Sequence, residues 1–129
     1  MKKLDKESVI GISALLVHAA KIDEIYSEHE KDLVKNFIKS YLEGDDINET
    51  LEKAEKIESD SNQLLNFTNI IKKNSLDVKK DILEHLWKVV ISDNTVDQYE
   101  SNLLRRICGL IYVPDKICAE IKLKLINSK

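Results

Sequence analysis

The chain has 129 residues, 43% hydrophobic and 33% charged, with a formal net charge of −3. That length can bury a real core, and the charge provides no global basic field to recruit nucleic acid or anionic lipid. With only three Gly and one Pro, turn formers are scarce, and a nearly all-helical chain is expected.

The opening "MKK" followed by the apolar stretch Val9–Val17 has the outline of a signal peptide, but Asp5 and Glu7 interrupt the basic region. The stretch is read instead as a first helix over about residues 6–22. Val9, Ile12, Leu15, Leu16, Ala19 and Ile22 form its stripe. A second helix begins at Ser27, where "SEHE" reads as a capping box. The Ser27 hydroxyl can accept from the amide of residue 30, and Glu30 can reach back to the amide of residue 27. Leu33, Val34, Phe37, Ile38 and Tyr41 mark its inner face, and Gly44 suits its end. Asn48 is placed to cap a short acidic third helix over 49–58, whose apolar face is Leu51, Ala54 and Ile57.

Asp60 or Ser61 opens a fourth helix with Leu64, Leu65, Phe67, Thr68, Ile70 and Ile71, and "KKNS" breaks it. A fifth covers about 77–91, with Val78, Ile82, Leu83, Leu86, Val89 and Val90 inward. "DQYE" is a second capping box, Asp97 to Glu100. It opens a sixth helix facing inward through Leu103, Leu104, Ile107, Cys108 and Ile111. Pro114 suits a first helical turn. The seventh helix runs to about residue 126, with Ile117, Cys118, Ile121, Leu123 and Leu125 inward. The expected fold is an all-α compact bundle of about seven helices, one domain over residues 1–129, with no run long enough to cross a membrane.

Charge is unevenly spread. Residues 43–62 hold eight acids against two lysines, and residues 105–129 hold six bases against two acids. Such runs are solvated faces first, and docking surfaces for protein partners second. Cys108 and Cys118 are too few for a disulfide framework and form no CxxC. They read as two reduced, buried thiols in a cytoplasmic protein, with a single disulfide between neighbouring helices as the alternative.

An internal repeat is the most informative feature. At an offset of 70, Asp23 matches Asp93, Ser27 matches Asp97, Glu30 matches Glu100 and Leu33 matches Leu103. Upstream, Leu16 matches Leu86, Val17 matches Trp87, and Ala19 and Ala20 match Val89 and Val90. A pseudo-repeat of two helix-loop-helix corners follows. In each, an Asp ends one helix and a Glu stands at the third residue of the next, with an apolar residue before the cap as in a hydrophobic staple.

An apolar helix, then Asp, two residues, an apolar residue, Ser or Asp, two residues and Glu, then a second apolar helix: this pattern, present twice, resembles the TerB-like family, named for tellurite resistance. A similar domain occurs in membrane-anchored J-domain co-chaperones. The resemblance spans nearly the whole chain. It implies an all-α domain with no known enzymatic site and a role in metal-ion sensing or stress response. The motif acids then fall on Asp23, Glu30, Asp93 and Glu100. Where the family pattern has Gly after the Asp, this chain has Glu24 and Asn94. Asn tolerates a left-handed backbone and Glu adopts it only at a cost, so the first loop is expected to differ in shape.

Two readings of the acids follow. An acid in a helical first turn is stabilised by free amides and the helix dipole, and capping accounts for every one of them. As ligands, the carboxylates suit Ca²⁺ or Mg²⁺, although no EF-hand loop is present. His18, His29 and His85 form no zinc pattern. Trp87 and Tyr99 are core or half-buried aromatics, or mark a binding surface. No phosphate loop or nucleophile motif occurs. The expected function is a non-enzymatic interaction or sensing module. The alternatives are a metal-dependent hydrolase built on the same carboxylates and a structural domain that oligomerises through an apolar face.

Overall fold

The computed structural model describes residues 5–21, 28–42, 47–60, 65–90 and 98–127. Within them lie seven α-helices and no strand: α1 Lys6–Ala20, α2 Glu28–Tyr41, α3 Ile47–Asp60, α4 Leu65–Lys72, α5 Leu76–Val90, α6 Gln98–Leu110 and α7 Asp115–Asn127. No helix among the described residues is long and apolar enough to cross a membrane.

Local signals explain the starts of α1 and α5. Asp5, one of the acids that interrupts the basic N-terminus, is the cap of α1 and accepts from the Ser8 amide at 2.7 Å. Hydrogen bonding from Ser8 holds its carboxyl below the ordinary range. Ser75 caps α5, its hydroxyl receiving the Val78 amide at 3.4 Å. Two starts differ from expectation. Asn48 is not a cap but lies inside α3, which begins at Ile47. Ile47 is half-buried against the core, so the helix starts early enough to seat it. Pro114 stands just ahead of α7, where its carbonyl accepts from Ile117 and Cys118 at 3.0 and 3.2 Å. Its missing N–H costs nothing there.

α6 ends in a Schellman turn. Val113 donates to the Cys108 carbonyl at 2.9 Å and Tyr112 to the Gly109 carbonyl at 3.4 Å. Tyr112 holds the left-handed position at φ 61°, a place usually given to Gly. Lys72 lies 5.3 Å above its ring.

α1 is the hub, packed by α2, α3, α4 and α5; α5 is the second centre, touching α1, α2, α6 and α7. The predicted α1 stripe is too narrow. Gly11, Ser13, Ala14, Val17 and Ala20 are buried as well, so α1 is enclosed on nearly every side. Its small residues make this possible: a Cβ on Gly11 would collide with the Ile70 side chain of α4. Around it, Phe37, Ile38, Ile71, Ile82, Leu83, Leu86, Leu104, Ile107 and Ile111 are fully buried. Each contributes roughly 1.5–3 kcal/mol by leaving water.

Two expected core residues are on the surface. Ile57 is 41% exposed because the inner face of α3 runs from Leu51 and Ala54 to Glu58, not to Ile57. Leu123 is 56% exposed. It stands two residues from Ile121, on the opposite side of α7, while the buried line continues at Leu125.

Candidate functional site at the helix corners

The first corner follows the C-terminal end of α1. There α1 presents His18 and the capping Lys21, one turn apart, to Glu58 of α3. Lys21 Nζ donates to Glu58 Oε1 at 2.8 Å, and His18 Nδ1 lies 3.3 Å from Oε2. Burial works against ionisation of Glu58, but the hydrogen bonds and charges of Lys21 and His18 outweigh it. The carboxyl therefore sits below its ordinary range. This acid is committed to joining α1 with α3.

Across the corner, Glu30 lies in the first turn of α2 and is only 7% exposed. A carboxylate at that depth is engaged by its surroundings. Of the other motif acids, Asp23 and Asp93 lie outside the described residues, as do the cap residues Ser27 and Asp97. Glu100 stands in the first turn of α6, with its side chain outside what is described. Among the described residues no group of three His, Cys, Asp or Glu side chains is arranged to hold a metal ion.

A second polar cluster ties α2 to α5. Tyr41 donates to Asp81 Oδ2 at 2.6 Å, and His85 stands edge-on to Phe37 with ring centres 5.1 Å apart. Burial, and then the Asp81 carboxylate, push the Tyr41 phenol well above its usual range.

The described part of the acidic run is mostly exposed along α3, where Glu49 pairs with Lys53 at 3.2 Å. Arg105, Arg106, Lys116 and Lys124 of the basic run are exposed too. Both cysteines are buried and free. Cys118 opens onto a cleft of about 260 Å³ between α5, α6 and α7, lined also by Trp87, Arg105, Asp115, Ala119 and Lys122. Trp87 is itself buried, at 3% exposure.

The seven helices of the described residues, without a strand among them, make an all-α domain. The chain matches the family model described as tellurite resistance protein TerB over residues 10–123, and it belongs to that family. No curated protein and no solved structure matches it.

Sequence reading missed Glu58, Lys21, Asp81 and the cleft. The pairs involved are separated by 37 to 40 residues, and no local pattern announces such partners. The burial of both cysteines was foreshadowed by their places on apolar helical faces, and that of Trp87 was one of the two readings given to it.

Proposed function

We propose that this chain is a non-enzymatic interaction or sensing module of the tellurite-resistance type, responsive to a divalent cation at its acidic corners. The reading rests on membership of the TerB family over residues 10–123. For the cation, the supporting feature is Glu30, an acid drawn inside at the start of α2, where the motif expects it. Asp23 on one side, and Asp93 with Glu100 on the other, are the further oxygen donors. Carboxylate oxygens favour Ca²⁺ or Mg²⁺ over softer ions. The mechanism is conformational. Each corner joins a helix of the central pair to the next helix, so an ion held there biases how α2 and α6 leave α1 and α5. The acidic face of α3 and the basic face of α6 and α7 are the docking surfaces for protein partners in the same reading.

The test is a calorimetric titration of Ca²⁺, Mg²⁺, Mn²⁺ and Zn²⁺ into metal-stripped protein, beside the double variant Asp23→Asn plus Asp93→Asn. Micromolar binding that disappears in the variant is expected. Absence of heat together with an unchanged melting temperature removes the cation from the account.

A further inference from the structure

The cleft between α5, α6 and α7 plays no part in the corner chemistry, and its wall gathers polar groups that the fold leaves unused. Trp87 of α5, Arg105 of α6 and Asp115, Cys118, Ala119 and Lys122 of α7 enclose about 260 Å³. That is just below the usual span of ligand pockets, about 300–1,000 Å³, so the cleft suits a small molecule. Trp87 carries the strongest sign. It is 3% exposed, and its indole Nε1 is buried with no hydrogen-bond partner among the described residues. A buried indole N–H ordinarily finds an acceptor, and leaving it without one is costly. The ring stands in the cleft wall, so an oxygen brought in through the cleft can supply the acceptor.

The charges on the same wall say which kind of oxygen. Lys122 Nζ lies 5.3 Å above the Trp87 ring, which holds an ammonium beside the indole. Arg105 is exposed and stands outside any ion pair among the described residues. A guanidinium placed in this way can take a carboxylate by two parallel N–H bonds. Asp115 is exposed and likewise outside any ion pair among the described residues. Two cations against one acid leave the wall net positive by a single charge. One negative charge matches it, whereas a dianion would bring its second charge against Asp115. The indole ring, Ala119 and Cys118 complete the wall and suit a compact apolar body.

We propose that this cleft binds a small organic monocarboxylate with a compact apolar body. Its carboxylate sits with Arg105 and Lys122 and accepts the Trp87 indole N–H. Its body rests against the indole ring and Ala119. Asp115 sets the selectivity by repelling a second negative charge. The site uses none of the corner acids, so it stands or falls apart from any cation there.

Benzoate is titrated into the full chain and followed by calorimetry and by the fluorescence of Trp87, the one tryptophan in the chain. A saturable change with a midpoint at or below about 1 mM is expected. Benzyl alcohol, which keeps the ring and lacks the charge, should bind about tenfold more weakly or less. Inorganic phosphate, a dianion at mildly alkaline pH, should do the same. Arg105→Gln alters an exposed side chain and should fold as the wild type does, while raising the benzoate midpoint about tenfold. Trp87→Phe keeps an aromatic ring without the N–H and should raise the calorimetric midpoint about fivefold. Asp115→Asn should lower the midpoint. The absence of a saturable change in the wild type would overturn the proposal. So would benzyl alcohol or phosphate binding as tightly as benzoate, or an unchanged midpoint in Arg105→Gln. The wild-type titrations and Arg105→Gln decide this even if Trp87→Phe folds poorly.

Discussion

α1 and α5 repeat each other at an offset of 70 and live in different surroundings. Their inward positions agree: Ile12 and Ile82, Leu16 and Leu86, Val17 and Trp87, Ala19 and Val89 are all buried. Their other sides do not. Where α1 has Gly11, Ala14 and Leu15, α5 has Asp81, Glu84 and His85. The first three are buried, and the second three are half-buried. Asp81 holds the Tyr41 hydroxyl, and Glu84 meets Lys124 at 3.5 Å. A repeated motif thus sets one stripe and one corner, whereas the next layer of helices decides the opposite face. Enclosure on nearly every side leaves α1, among the described residues, polar partners on other helices only towards its C-terminal end, at His18 and Lys21. The open side of α5 leaves room for polar partners from α2 and α7.

Exchanging one residue between the two helices breaks this comparison most severely. Ala14→Glu places the α5 residue in the fully buried α1 position. An uncompensated buried carboxylate should cost about 3–5 kcal/mol, read by urea denaturation. The reverse change, Glu84→Ala, should cost less than about 1 kcal/mol, since it removes only a surface pair. Next in size is Tyr41→Phe. It takes a hydrogen bond from a half-buried carboxylate on the polar side of α5, at about 1.5–3 kcal/mol.

Smaller changes sharpen the same contrast. Ser13 in α1 has a buried hydroxyl without a hydrogen-bond partner, where α5 has Leu83. Ser13→Ala should therefore stabilise the protein by about 1 kcal/mol, visible as a higher melting temperature. The smallest effect belongs to Glu58. Its folded pKa lies below the unfolded value of about 4.3. Its stabilisation is therefore complete above that pH and is lost as pH falls through the folded value. With Lys21 partly exposed, the loss should stay under about 1 kcal/mol. Glu58→Gln should flatten that part of the acid-unfolding curve.

The stripe of α5, the buried cysteines and the helix order were legible in the sequence because hydrophobic period and scarce turn formers report them directly. The burial of Ala14 and Ser13 was not. Small residues look neutral in a periodic pattern, and only the arrival of α3 and α4 against α1 encloses them. Leu123 misled for the converse reason: an apolar residue off the face still counts as apolar in a scan. At the corners, the motif placed Glu30 at the start of α2 correctly, but its depth was invisible. The Glu58 and Asp81 partnerships depend on helices packing across 37 to 40 residues, beyond any local rule. The spacing of Cys108 and Cys118 put both on inner faces but gave no sign of the cleft that Cys118 lines.

The central claim is that α1 and α5 are a fixed frame and that the corners are the responsive parts. Amide hydrogen exchange with and without saturating Ca²⁺ tests it most directly. Exchange should slow at the first turns of α2 and α6 when the ion is added, while the amides of α1 stay the slowest and unchanged. Identical exchange at both corners with and without the ion would contradict it.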